Sequence, residues 1–262
     1  MLKRGVIISN LTYAHSGALG DLIYSLPVVK HFGKGDFYVK LRSMEYTATK
    51  YGYRQEHKQP FHLQKLSEED FKLLAPLLEA QPYIINVIST DDSAMQATYD
   101  LDSFRGVLWR SFVGNYVEAY FKTFNIPYTA QDIVTPWLVA EPKEVAPIVI
   151  ARTLRHRDPN SLLRWKDFTS LPNFKDIAVF VGHDDEYEDL KNTFDTSIPR
   201  YIPKDFLDLA QIVSGAQHIV CNGTFVYSLA QALGKPTTLE TLKDRTLSNN
   251  ECFFNRSNCF YF

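Results

Sequence analysis

The sequence predicts an α/β protein built from two parallel-sheet halves, and three observations carry that expectation. Short apolar runs alternate along the chain with longer stretches whose apolar residues recur at helical spacing. A proline-bearing stretch at 127–147 (Pro127, Pro136, Pro142, Pro147) interrupts this alternation, which then restarts. The 262 residues are 45% hydrophobic, enough to bury a sizeable core without disulfide or metal staples.

The elements follow in order. Gly5 to Ser9 and Tyr13 to His15 read as strands. Asp21 to Phe32 carries Leu22, Ile23, Leu26 and Val29 at helical spacing, with Pro27 as a kink. Phe37 to Leu41 alternates as a strand. Ser67-Glu68-Glu69-Asp70 starts a helix, its acids placed where the helix dipole favours them. Tyr83 to Ile88 reads as a buried strand and Arg110 to Phe124 as an amphipathic helix. After the prolines come strands Ile148 to Ala151 and Ile177 to Val181, then helices Asp185 to Thr193 and Phe206 to Ser214. Strand His218 to Asn222, helix Phe225 to Leu233 and strand Pro236 to Leu239 complete the second half. The expected organisation is a domain over 1–140 and another over 141–262, both Rossmann-like and facing one cleft. Ligands of such sheets sit at the C-terminal ends of the strands.

Composition excludes several classes. With 28 basic and 30 acidic side chains there is no generally basic nucleic-acid coat. Cys221, Cys252 and Cys259 cannot pair completely and form no CxxC, which points to a reducing, cytoplasmic compartment. No apolar run approaches the ~20 residues of a membrane span, and the N-terminus lacks a signal-peptide pattern.

Three segments carry candidate chemistry. Ser16-Gly17-Ala18-Leu19-Gly20-Asp21 follows a strand and opens a helix, offering close backbone approach at Gly17 and Gly20 and free N–H donors. Its plain reading is a tight turn in which Asp21 complements the dipole. Arg152-Thr153-Leu154-Arg155-His156-Arg157 leaves a buried strand, with Arg164-Trp165 beyond it. Guanidinium forks match phosphate oxygens; the plain reading is a solvated basic loop. Asn222-Gly223-Thr224 precedes another helix and makes either an anion site or an ordinary N-cap. His15, ending its strand, either assists the site or serves structure.

Together these segments resemble the ADP-heptose:lipopolysaccharide heptosyltransferases, glycosyltransferase family 9, which have the GT-B fold. The matching residues are Gly17-Ala18-Leu19-Gly20-Asp21 with Pro27, Arg164-Trp165, and Leu229-Ala230-Gln231-Ala232-Leu233-Gly234-Lys235-Pro236. The family's aspartate-threonine-glycine turn is here Asn222-Gly223-Thr224, and Ser228 stands where the family has a histidine. The length, with Val181-Gly182 before Glu186-Tyr187-Glu188, is similar to compact members found in bacteriophages. The resemblance implies sugar transfer from a nucleotide-sugar donor, with no metal or other cofactor. Asp21 is then the base. Arg152, Thr153, Arg155, Arg164, Gly223 and Thr224 hold the leaving diphosphate, with Gly182 and Glu186 near the nucleoside. Asp100-Leu101-Asp102 formally matches the metal triplet of a different glycosyltransferase class, but with Arg105 it is more simply a brace of the first half.

The acceptor side falls to the first half in such folds. Residues 1–60 hold 9 basic and 4 acidic side chains, whereas residues 61–145 hold 6 and 12. Within the basic part, Lys50, Tyr51, Tyr53 and Arg54 mix cations with aromatics, as a loop meeting phosphates and bases does. With His15 they form the expected acceptor side. A hydroxymethylated pyrimidine in phage DNA is the first expected acceptor; a lipopolysaccharide or other surface glycan is the second. A nucleotide-binding module without transfer is the competing class.

Overall fold

The computed structural model describes residues 10–41, 66–92, 95–108, 112, 114–194, 196–241 and 253–262. The strand expected at Gly5 to Ser9 and the residues Lys50, Tyr51, Tyr53, Arg54 and Cys252 lie outside them. The described residues form two sheets in which every strand pairing is parallel.

The first sheet contains β1 (Leu11–His15), β2 (Gly35–Lys40), β3 (Ile84–Thr90) and β4 (Tyr99–Asp100), in the order β3-β2-β1-β4. The second contains β5 (Ile148–Ala151), β6 (Ala178–Phe180), β7 (His218–Cys221), β8 (Thr237–Leu239) and β9 (Cys259–Tyr261), in the order β6-β5-β7-β8-β9. The strands β5 and β6, and β7 from Ile219 onward, are continuous apolar runs because helices cover both faces of such a sheet. Sequence reading had no place for β9. The aromatic tail adds an edge strand to β8.

Helix α1 (Leu19–Phe32) is buried from Leu22 through Val29, so it has no solvent face over two turns. It packs between the first sheet and helix α2 (Phe225–Ala232) of the second half. Pro27 lies inside α1 and has no N–H to give the carbonyl of Ile23, four residues back. The indole Nε1–H of Trp137 donates to that carbonyl instead, at 3.1 Å.

Trp137 belongs to the proline-bearing stretch, which is a clamped crossing. Its backbone N–H and that of Leu138 donate to the Ala232 carbonyl, and the Tyr83 hydroxyl donates to the Trp137 carbonyl at 2.5 Å. The amide of Gln81 exchanges hydrogen bonds with Val139. The largest core runs without a break from the first sheet through α1 and α2 to the second. A smaller one surrounds Trp165 beyond the second sheet.

The helix expected from Arg110 to Phe124 is shorter, Tyr116–Thr123, because the Asn115 side chain accepts from Glu118 N–H at 3.0 Å and caps it there. Ser67 and Asp70 form the expected helix start as a reciprocal capping box. Among the described residues no helix is long and apolar enough to cross a membrane.

Candidate functional site

The turn between β1 and α1 is gripped from three sides. Ser16 donates from its N–H and hydroxyl to Asp102 Oδ1, at 3.1 and 2.9 Å. Gly17 N–H donates to His15 Nδ1 at 2.9 Å, and Arg105 donates from Nη2 to the Gly17 carbonyl. Gly17 has φ +94°, a conformation side chains rarely adopt. Lys40 completes the frame, bridging Asp100 Oδ1 at 2.7 Å and Asp102 Oδ2 at 3.1 Å. Asp100, Asp102 and Arg105 therefore brace the turn, and Asp100 and Asp102 face a lysine.

His15 is fully buried and both ring nitrogens are engaged. Because Nδ1 accepts from Gly17, the network assigns the proton to Nε2, which donates to the Tyr120 hydroxyl at 2.7 Å. The Tyr120 hydroxyl in turn donates a hydrogen bond to the backbone carbonyl of Asp21, at 2.9 Å. Burial drives the His15 pKa down to about 3, so the ring is neutral and its 3.6 Å approach to Asp102 is not an ion pair. This corrects the expectation that His15 meets the acceptor: with no exposed surface and no nitrogen to offer, it holds the turn.

Asp21 occupies the first turn of α1 with its side chain 21% exposed, and its Oδ2 lies 3.1 Å from Arg105 Nη2. Burial raises its pKa above the ordinary carboxylate value, partly opposed by the Arg105 charge and the Ala18 backbone N–H. Asp21 thus also serves the helix N-terminus, as its plain reading expected.

In the second half, Arg152 is buried. Its Nε donates to Glu240 Oε2 at 3.0 Å and its Nη2 to Oε1 at 3.3 Å, while its plane lies over Trp165. The guanidinium expected to hold a diphosphate is thus turned inward by a carboxylate that sequence reading missed. Arg155 and Arg164 are exposed on the same loop and helix. Arg157 donates to the Thr153 carbonyl and pairs with Asp189 at 2.8 Å.

Asn222 is fully buried and ties down the loop after β5. Its Oδ1 accepts from Thr153 N–H at 2.9 Å; its Nδ2 donates to the carbonyls of Thr153, Arg155 and His156. Its amide is consumed by the protein. Thr224 caps α2, accepting from Tyr227 N–H at 3.3 Å, and Gly223 faces the His156 ring. Gly182 has φ +157°, and a Cβ there would stand 2.7 Å from Glu186 Oε2. That oxygen accepts from His183 N–H at 3.0 Å at the start of the helix Asp184–Phe194. Gly182 and Glu186 follow β6, two strands from β7, about 10 Å across the sheet.

The two halves meet where Gly20 faces Ser228. A Cβ on Gly20 would lie 3.7 Å from Ser228 Oγ, so the first turn of α1 lies directly against α2. Gly20 is thereby brought to the helix that Gly223 and Thr224 open, whereas Gly17 faces Leu66 and the Asp21 carboxylate meets Arg105 of the first half. A cavity of about 450 Å³ lined by Lys143, Tyr201, Lys204 and Asp208 includes none of the expected site residues. Among the described residues, no group of three or more His, Cys, Asp or Glu side chains could hold a metal ion.

No protein-family model matches the sequence. No curated protein matches it either. Solved structures do. A glycosyltransferase of family 9 from Veillonella parvula superposes with a TM-score of 0.58 at 10% identity, covering 97% of this chain and 86% of that one. The E. coli ADP-heptose lipopolysaccharide heptosyltransferase II gives 0.52 at 9% identity, over 97% and 90%. The E. coli heptosyltransferase WaaC with ADP gives 0.51 at 15% identity, over 96% and 92%. At these identities the likeness is one of fold, and it runs through both sheets in order: the chain has the two-sheet GT-B architecture in the form that family 9 glycosyltransferases take.

Proposed function

We propose that this chain is a glycosyltransferase that moves a sugar from a nucleoside diphosphate donor to an acceptor hydroxyl. The observation that carries the proposal is the Asp21 carboxylate. It is partly exposed, raised in pKa, oriented by Arg105, and next in sequence to Gly20 at the contact of α1 with α2, in a fold that family 9 enzymes share. A base with a raised pKa accepts a proton more readily near neutrality than an ordinary carboxylate.

In this reading Asp21 takes the acceptor hydroxyl proton as that oxygen attacks the anomeric carbon. The bond from that carbon to the phosphate oxygen breaks, and the nucleoside diphosphate leaves with the electron pair. Arg155 and Arg164, with Thr153 and the backbone around Gly223 and Thr224, offset the developing diphosphate charge. Gly17 and Gly20 let the donor approach the backbone of the turn, and Gly182 with Glu186 lies toward the nucleoside. Arg152 and Asn222 shape the loop that carries these groups.

We take a glycan hydroxyl as the acceptor, because one of the matched structures is described as an ADP-heptose lipopolysaccharide heptosyltransferase. The DNA reading rested on Lys50, Tyr51, Tyr53 and Arg54, which lie outside the described residues, and no other observation supports it. ADP is the first nucleotide to try, since WaaC was solved with it.

The test is donor turnover on a panel of ADP-, UDP- and GDP-sugars, with lipopolysaccharide cores and hydroxymethylated DNA as acceptors. Asp21→Asn should lower transfer by about 10²–10⁴-fold while nucleotide affinity persists. Tight nucleotide binding with no transfer to any acceptor would favour the binding-module reading. No binding of any donor would overturn the proposal.

A further inference from the structure

Five hydrogen bonds converge on one carboxylate that no motif predicts. Glu240 follows β8 and its side chain is fully buried. It accepts from Arg152 Nε at 3.0 Å and Nη2 at 3.3 Å, from Asp158 N–H at 3.1 Å, from Trp165 Nε1 at 2.8 Å, and from the Ser161 hydroxyl. A carboxylate offers about four lone-pair sites, so its capacity is filled. Every donor comes from one stretch, residues 152–165.

That stretch links β5 to the helix Leu162–Thr169 and has only a single 3₁₀ turn of its own. Asn222 holds its first part through the carbonyls of Thr153, Arg155 and His156. Glu240 holds Arg152 before that part and Asp158, Ser161 and Trp165 after it. The loop is thus fastened from the ends of two adjacent strands, β7 and β8. Two cations stay outside the fastenings: Arg155 lies between them, and Arg164 is next to Trp165.

We propose that Glu240 is a positioning residue for the donor diphosphate. It acts by fixing the loop so that Arg155 and Arg164 stand ready before the ligand arrives; this rests on the donor site proposed above. A buried ion pair adds little net stability over apolar packing of the same shape. Gathering five donors from a single loop onto one carboxylate therefore accounts for a defined loop geometry better than for stability. Groups that must grip a ligand work best when a supporting shell fixes them beforehand.

The experiment measures binding of ADP, UDP and GDP, and of the matching monophosphates, by titration calorimetry on the full chain. For the nucleotide that binds wild type, Glu240→Gln should lower diphosphate affinity about 10-fold, as loss of an orienting partner does at other sites. The ratio of diphosphate to monophosphate affinity should fall with it, and hydrogen exchange should rise across 153–164. Ser161→Ala removes one of the five donors and leaves both charges in place. It should shift the ratio in the same direction by a smaller factor, and it serves if Glu240→Gln does not fold. If wild type binds none of the three diphosphates, the function proposed above falls and this assignment with it. If wild type binds and the variants keep its diphosphate affinity, the Glu240 assignment alone falls. An equal loss for monophosphate and diphosphate also overturns it, because that pattern means Glu240 serves folding only.

Discussion

Arg105 links the carboxylate of Asp21 to the carbonyl of Gly17: its Nη2 is 3.1 Å from Asp21 Oδ2 and also donates to that carbonyl. One buried guanidinium thereby sets both the shape of the turn and the proton affinity of the proposed base. Burial raises the Asp21 pKa and Arg105 pulls it back. The acid limb of donor turnover should therefore lie above the ordinary carboxylate range, since Asp21 must be ionised to act. Arg105→Gln removes the opposing charge and should move that limb upward by about one pH unit or more. Arg105→Lys keeps the charge and should leave it near wild type. The pH–rate profile of the three proteins decides; an unmoved limb in Arg105→Gln would mean that Asp21 is not the titrating base.

His15 makes a stability prediction. Its ring is neutral in the folded state with a pKa of about 3, whereas the unfolded value is about 6.5. Below pH 6.5 the unfolded chain takes up a proton that the folded chain refuses. The His15 contribution is thus fully present above pH 6.5 and is lost as pH falls toward 3, at a slope approaching about 1.4 kcal/mol per pH unit. His15→Gln lacks this titration. Urea unfolding at pH 7 and pH 5 should show wild type losing more stability on acidification than the variant; equal losses would contradict a buried neutral ring.

The contact of Gly20 with Ser228 separates two substitutions. A methyl at Gly20 would sit at ordinary van der Waals distance from Ser228, and alanine is the better helix former. Gly20→Ala should keep stability within about 1 kcal/mol of wild type or raise it. Gly20→Leu should force α1 away from α2 and cost about 1–3 kcal/mol, the usual range for overpacking. Thermal unfolding distinguishes them, and an equally stable leucine variant would mean the helices meet elsewhere.

Much of the architecture was legible because it is local. Ile148 to Ala151 is a strand with those bounds, and the helices at Asp185 and Phe206 start within one residue of their expected positions. Their apolar spacing and capping residues lie inside a single window of sequence. The turn at Gly17 was legible for the same reason. What stayed hidden depends on partners far along the chain. Arg152 looked like a free cation because Glu240 is 88 residues away, and His15 looked available because Tyr120 is 105 residues away. The compensating donor beside Pro27 was hidden in the same way, because Trp137 is 114 residues from the Ile23 carbonyl it serves. Strand β9 was missed because three residues of aromatic tail carry no periodicity to read.

That compensating donor can be tested. Trp137→Phe removes the N–H that serves the Ile23 carbonyl together with part of a buried ring system, so its cost holds a packing contribution that the double variant leaves unrecovered. A buried carbonyl left without a donor costs about 1–3 kcal/mol. The double variant Pro27→Ala, Trp137→Phe restores a backbone N–H to that carbonyl and should recover part of the loss. Chemical denaturation of the single and double variants measures the coupling. Additive effects would show that Trp137 contributes by packing alone.

The surroundings of Asn222 explain why an amide is needed at this position. Its Nδ2 donates to three backbone carbonyls, those of Thr153, Arg155 and His156, while only Oδ1 accepts, from Thr153 N–H. An ionised carboxylate has no proton to give and would turn negative charge toward three carbonyl oxygens. Asn222→Asp should therefore destabilise the protein by at least about 2 kcal/mol at pH 7, from the carbonyls left without donors. Burial and those oxygens would raise the folded-state pKa of the new acid above its unfolded value. The folded variant then binds its proton more tightly than the unfolded one. Its deficit against wild type should shrink at low pH, where one O–H can donate, and grow as pH rises through that raised pKa. Unfolding free energies of both proteins between pH 4 and pH 8 give the comparison. A variant as stable as wild type at pH 7 would mean that the loop after β5 is held by something other than this amide.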